Sequence, residues 1–131
     1  MIRIASVCLT FYWLGIFTLT HLPKSSLPAI TWSDKVCHAL AYSGLAFLIA
    51  WALPVRNGRW VANLAIAVAL GMIYGGLDEF TQNFIPGRAC EFLDFSADCL
   101  GVVLGISAYV ICRSTLVQLS WGRNLIRALS R

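Results

Sequence analysis

The chain has 131 residues, 59% of them hydrophobic and only 12% charged, with a mean hydropathy of +0.75. An ordinary soluble domain is about 45–50% apolar and about 25% charged, so these figures exclude most water-soluble folds and point to lipid as the missing solvent; the length allows a single domain. The formal net charge of +4 does not mark a nucleic-acid binder, because the ten basic residues stand in ones and twos among apolar runs instead of forming a dense patch.

A bilayer core about 30 Å thick takes about 20 helical residues to cross, and four runs approach that length. The first, Ile4 to Leu22, predicts helix one. Arg3 precedes it, but no small-residue cleavage site follows, so it reads as an anchor and not as a cleaved signal. The second lies between Lys35 and Arg56 and ends at Pro54. The third runs from Trp60 to the acidic pair Asp78 and Glu79. The fourth, Cys99 to Cys112, is too short to span unless it extends back through Phe92, which brings Asp94 and Asp98 into or near the membrane. Breakers separate the runs: LPKSSLP from Leu22, PVRNGR from Pro54 and IPGR from Ile85. The expected fold is an all-α integral membrane protein, with four transmembrane helices in an antiparallel bundle over residues 1–112. Residues 113–131 form a basic cytoplasmic tail, in which Arg123, Arg127 and Arg131 oppose Trp121, Leu125, Ile126 and Leu129. That pattern suits an amphipathic helix on the membrane surface, the alternative being a frayed tail.

Lys and Arg set the orientation. Arg3, Arg56, Arg59, Arg113, Arg123, Arg127 and Arg131 fall on one side of a four-span serpentine, and Lys24, Lys35 and Arg88 on the other. Seven against three predicts that both termini are cytoplasmic, in a bacterial inner membrane. All six acids, Asp34, Asp78, Glu79, Glu91, Asp94 and Asp98, then fall on the outer side with both histidines. The groups suited to acid–base chemistry are therefore gathered at one membrane face.

Spacing sharpens this. Asp34, His38 and Tyr42 recur at every fourth position and share a helical face. Tyr74, Asp78 and Gln82 do the same beside Gly71 and Gly75, with Glu79 about 100° further round. Asp94, Asp98, Gly101 and Gly105 form a third stripe of acids above small residues, the glycines allowing close helix approach. The simplest packing turns the three stripes inward around one outward-opening pocket.

These residues, Asp34-Lys35, His38, Tyr42, Tyr74-Gly75, Asp78-Glu79, Gln82, Ile85-Pro86-Gly87-Arg88, Asp94, Gly101 and Gly105, resemble the signature of VanZ-like membrane proteins. The most specific part is D-E-x-x-Q-x-x-I-P-G-R with an aspartate six residues after the arginine. One departure is Asp98, where similar proteins commonly carry asparagine. The family's founding association with low-level teicoplanin resistance in bacteria implies an envelope role and fixes no reaction.

Ionisable residues at membrane depth are costly and point to function. Arg88, in its Pro-Gly turn, is suited to clamp a phosphate or pyrophosphate of a lipid-linked envelope intermediate. His38 oriented by Asp34 is a candidate general base, and Glu79 or Asp94 the acid. Gln82, Asp78, Tyr42, Lys35 and Asp98 complete the candidate substrate site. No cofactor is expected, with a divalent metal kept as the minor alternative: His and carboxylates are ligand types for one, but no HExxH or comparable spacing occurs. The structural alternative pairs Arg88 with Glu91 or Asp94, Lys35 with Asp34 or Asp78, and His38 with Tyr42, simply pinning helix ends. Three functions stay open: an enzyme acting on an anionic envelope lipid or glycan precursor, an accessory binding protein, and a small transporter or flippase. The bilayer is the one certain partner class, and the oligomeric state is open. Cys8, Cys37, Cys90, Cys99 and Cys112 form no CxxC pair and read as small apolar residues, a Cys37–Cys90 disulfide being disfavoured. Trp32 and Trp60 sit at span boundaries as interfacial anchors do, whereas Trp13 and Trp51 are packing or lipid-facing.

Overall fold

The computed structural model describes residues 3–26, 33–53 and 59–130. Trp32, Pro54, Arg56 and Arg131 lie outside them, as do the side chains of Lys24, Arg127 and Leu129. Five α-helices follow in order: α1 (Ile4–Thr20), α2 (Asp34–Ala52), α3 (Trp60–Gln82), α4 (Phe92–Gln118) and α5 (Ser120–Ser130), with one 3-10 turn at Lys24–Ser26. No strand occurs among the described residues.

Three helices, α2, α3 and α4, are long and apolar enough to cross a membrane, and α1 is a shorter apolar helix of 17 residues, about 25 Å at 1.5 Å per residue. Their boundaries have local causes. Leu53 leaves α2 with extended backbone, φ −71° and ψ 130°, as suits a residue preceding proline. Asp34 and Asp94 occupy the first turns of α2 and α4, where a carboxylate meets the positive end of the helix dipole. The fourth apolar helix begins at Phe92 and carries both Asp94 and Asp98. It also runs on to Gln118, beyond the expected end at Cys112, because Arg113-Ser114-Thr115 contains no breaker and the Ser114 and Thr115 hydroxyls bond back to the Ile111 carbonyl.

The exterior is apolar. On α3, Ile66, Leu70, Ile73 and Leu77 recur at helical spacing and are all exposed, as are Phe11, Phe84 and Phe92 elsewhere. A water-soluble protein does not leave such stripes uncovered. The buried core is small by comparison and centres on Tyr42, Leu45, Ala46, Ala67 and Val102.

The most extensive helix contact joins α2 to α4. These two helices run side by side in the same direction, as successive pairs show: Lys35 with Asp94, His38 with Asp98, Trp51 with Tyr109, and Arg113 over the Trp51 ring. Between those pairs the backbones themselves meet. A Cβ on Gly101 would strike the Ala39 carbonyl, and one on Gly105 the Ser43 carbonyl. Gly71 and Gly75 on α3 face side chains instead, Val102 and the pair Asp98 and Tyr42. At the end away from the acids, Arg3 Nη1 donates to the Ala52 carbonyl at 3.0 Å and joins the start of α1 to the end of α2. The chain turns at Leu119, where the backbone is extended, into α5, whose Gly122 lies against the Leu116 carbonyl; Ile126 packs on the core while Trp121 and Leu125 stay exposed.

Replacing Gly105 by Leu forces α4 away from α2. Overpacking of this kind destabilises by about 1–3 kcal/mol or more, so the thermal midpoint in detergent is expected to fall clearly. Gly15→Leu, at a position with nothing within 4 Å of an added Cβ, is the control and leaves it unchanged.

Candidate functional site

Four helix ends meet at the acidic pole: the last turns of α1 and α3 and the first turns of α2 and α4. At the centre, His38 Nδ1 lies 2.9 Å from Asp98 Oδ1 and 3.7 Å from Glu79 Oε1, with all three residues buried. Glu79 is held from two further directions. Its Oε2 accepts the Glu91 backbone N–H at 3.1 Å, just ahead of α4, and its Oε1 accepts from Gln82 Nε2 at 3.3 Å. The same Gln82 amide nitrogen reaches Asp78 Oδ2 at 3.2 Å, so it bridges the two adjacent acids.

Asp78 turns toward α1. Its Oδ1 accepts from the Thr20 hydroxyl at 2.9 Å and the Tyr74 hydroxyl at 3.4 Å, and His21 Nδ1 stands 3.8 Å away. The two ring nitrogens of His21 face oxygens, Nδ1 the Phe17 carbonyl at 2.9 Å and Nε2 the Thr81 hydroxyl at 3.0 Å, while Thr81 donates to the Asp78 carbonyl. Tyr42 is fully buried and stacks on Tyr74 with centroids 5.9 Å apart. Among the described residues, two buried side-chain polar atoms make no hydrogen bond that meets the usual geometry, the Tyr42 hydroxyl and Asp98 Oδ2. Both flank Gly75, where an added Cβ would lie 3.3 Å from the Tyr42 ring and 3.4 Å from Asp98 Oδ2.

An outer layer covers this core. Lys35 Nζ binds Asp94 Oδ1 at 2.7 Å and Glu91 Oε2 at 3.5 Å, and Asp34, exposed on the same turn of α2, brings a carboxylate oxygen within 4.8 Å of ligand atoms on His38 and Asp94. Lys35 therefore pairs with α4 and its approach. The His38 hydrogen bond to a carboxylate is likewise made by Asp98, because the side-by-side register of α2 and α4 brings Asp98 onto the imidazole.

Arg88 is placed differently from expectation. Ile85 to Arg88 form a turn closed by the Arg88 N–H on the Ile85 carbonyl at 3.1 Å, with Gly87 at φ 78°, the value position three of a type II turn demands. The turn sends the guanidinium to the end of α1. Nε donates to the Leu22 carbonyl at 2.9 Å, Nη2 to the Leu19 carbonyl at 2.8 Å, and Nη1 to Gln82 Oε1 at 3.3 Å. It touches neither Glu91 nor Asp94. A guanidinium has five N–H donors, so these contacts leave two of them for a ligand. Thr20, His21 and Thr81 join the cluster without having been singled out among the candidate site residues. The one signal for the first two was their place, a threonine–histidine pair closing the first apolar run on the acidic side. Among the described residues, two groups bring three ligand atoms within 4.8 Å of one another and so could hold a metal ion: His38, Glu79 and Asp98, all buried, and Asp34, His38 and Asp94. All five cysteines are free thiols.

An all-helical chain with uncovered apolar stripes and a polar cluster sealed at one pole belongs to the class of small multi-helix membrane proteins. More specifically, it belongs to the VanZ/LLP1 family, whose match covers residues 8–113 and so takes in every site residue from Thr20 to Asp98. No curated protein and no solved structure matches the chain.

Arg88→Ala removes three hydrogen bonds, each worth about 1 kcal/mol, two of them to carbonyls at the end of α1. Hydrogen exchange of the Leu19–Leu22 segment is expected to accelerate while α2 and α4 stay protected. Unchanged exchange there would show that Arg88 does not hold α1.

Proposed function

We propose that this VanZ-family protein sits in a bacterial cytoplasmic membrane with both termini cytoplasmic. Its four apolar helices cross as an antiparallel serpentine, and α5 lies on the inner surface. The polar cluster then faces outward, where it acts on or binds an anionic component of the cell envelope, lipid-linked or glycopeptide-related, in keeping with the family name. Two sets of contacts support the topology: the ends of α1 and α3 meet the starts of α2 and α4 at the acidic pole, while Arg3 meets Ala52 at the other. A thiol-reactive reagent that cannot cross membranes is expected to label exposed Cys90 in intact cells, and labelling of Cys90 only after the membrane is opened would reverse the orientation.

The observation that carries the chemical reading is the His38–Asp98 pair with Glu79 3.7 Å from the same ring nitrogen. An imidazole held by one carboxylate beside a second is an arrangement for moving protons, and it exceeds what joining helix ends requires. In this reading His38 is the base, positioned by Asp98, with Glu79 or Asp94 as the acid and Asp34 at the entrance. The anionic group of the ligand belongs at the rim, on Lys35 and the two spare N–H groups of Arg88, because the buried carboxylates of Asp78 and Glu79 would repel it. Gln82 stands between the rim and those carboxylates, accepting from Arg88 and donating to Glu79, and buried Tyr42 forms the floor of the candidate substrate site.

Purified protein in lipid nanodiscs, given lipid-linked pyrophosphate carriers, tests this. Saturable binding weakened by Lys35→Ala and turnover lowered about 10²–10⁴-fold by His38→Ala are expected. Binding and turnover indifferent to both would sink the proposal. A specific observation favours a second reading, a non-catalytic accessory protein: Lys35, Glu79, Thr20 and Arg88 each tie one element to another. That reading expects the same substitutions to lower stability with no ligand found. A transporter or flippase gains nothing from the geometry, because the six acids stay at one pole.

A further inference from the structure

We propose that His38, Glu79 and Asp98 form a binding site for a divalent first-row transition metal, zinc foremost. The inference concerns the cation alone; with the ion bound, His38 is a ligand instead of the base of the reading above, and the base would be a metal-bound water or a carboxylate.

Geometry is the first argument. The three residues each offer a ligand atom, all within 4.8 Å of one another, from three different helices, and all three are buried. A tetrahedral ion with nitrogen and oxygen ligands at about 2.0–2.2 Å holds those ligands about 3.3–3.6 Å apart. The separations from His38 Nδ1, 2.9 Å to Asp98 and 3.7 Å to Glu79, bracket that range, so small rotations of the carboxylates admit the ion.

An unsatisfied atom is the second. Asp98 is completely buried, yet its Oδ2 has no hydrogen-bond partner among the described residues. A buried carboxylate oxygen without a donor is costly, and a cation beside Asp98 would satisfy it.

Charge is the third. Glu79 and Asp98 are at most 2% exposed, and among the described residues no lysine or arginine side chain reaches either. The Lys35 ammonium is bound to Asp94 and Glu91, and Arg88 meets Gln82 and carbonyls. One imidazolium would leave the trio with a negative charge, whereas a dication with neutral His38 and two carboxylates sums to zero. The other trio, Asp34, His38 and Asp94, is the weaker candidate because the Lys35 ammonium already sits 2.7 Å from Asp94 Oδ1. An imidazole in the ligand set favours zinc, copper, iron or nickel over magnesium, calcium and manganese, which prefer oxygen ligands. Three protein ligands leave one coordination position for water or a ligand oxygen, as in catalytic rather than structural sites.

The test uses the full chain in detergent, stripped with a chelator and titrated with Zn²⁺ by calorimetry and with Co²⁺ by visible absorption. About one equivalent per chain is expected, with the intense cobalt bands of a four-coordinate site and a raised thermal midpoint on zinc addition. Changing the partners of a metal ligand already weakens affinity about 10–100-fold, so His38→Gln and Asp98→Asn should each weaken zinc binding by at least that much. Glu79→Gln, which keeps the shape and the contact to Glu91, guards against a variant that fails to fold. No saturable zinc or cobalt binding by the native chain would overturn the proposal. So would binding that survives all three substitutions, or binding lost only when Asp34 and Asp94 are neutralised.

Discussion

The close passage of α2 against α4 is the constraint on which the rest of the molecule depends. Because Gly101 and Gly105 present no side chain, the α4 backbone comes against the carbonyls of Ala39 and Ser43. At that distance, and in a side-by-side register, the residue one turn before Gly101 and Gly105 on their stripe has a single place to go. Asp98 lands on the His38 imidazole, Asp94 a turn further out lands on Lys35, and Tyr42 is sealed beneath. The polar centre is thus a consequence of a packing contact made several residues deeper in the apolar region, where small residues let helices associate without a hydrophobic driving force.

Helix polarity completes the arrangement. The starts of α2 and α4 carry partial positive charge and receive Asp34 and Asp94; the end of α1 carries partial negative charge and receives His21 and the Arg88 guanidinium. Helix-end polarity thus accounts for Asp34, Asp94 and the Arg88 contacts, whereas Lys35 at the start of α2 and Asp78 and Glu79 at the end of α3 are placed by their side-chain partners. The Gln82 amide lies between acids and arginine, donating to Asp78 and Glu79 and accepting from Arg88. One side chain that donates in one direction and accepts in the other is what allows acids and arginine to share so small a volume without direct ion pairing.

Much of this was legible in the sequence, and the reasons differ from one residue to another. The four apolar runs follow from composition, and the gathering of His38, Glu79, Asp94 and Asp98 follows from their helical spacing, since stripes that cannot face lipid must face one another. Spacing within a helix says nothing of register between helices, so it could not choose Asp98 over Asp34 as the imidazole's partner. Nor could it send Arg88 to α1: the Pro86-Gly87 turn announced a sharp reversal, but the direction of the side chain depends on where the end of α1 lies in space. For the same reason spacing gives Thr20 no partner, and His21 none beyond its place on the acidic face, since a hydroxyl at the end of an apolar run becomes informative only once a buried carboxylate is found opposite it.

Asp98 acquires a physical meaning in this setting. Asparagine there could meet the imidazole as a neutral partner and present its amide to the space beside Tyr42. Aspartate instead brings a second carboxylate into a region that already holds Glu79, and leaves one oxygen without a donor. Two carboxylates this close, sealed from water and within 4 Å of one imidazole nitrogen, are tolerable only if a proton or a cation is shared among the three groups. Whatever the sharer, a proton on the ring or on a carboxyl or a bound ion, it is held in the same place by the same three helices. A change in its occupancy must therefore be felt at the start of α4 through the Glu79 contact to Glu91, and at the end of α1 through Gln82 and Arg88. Chemistry at the centre and the packing of the rim are for that reason one coupled system.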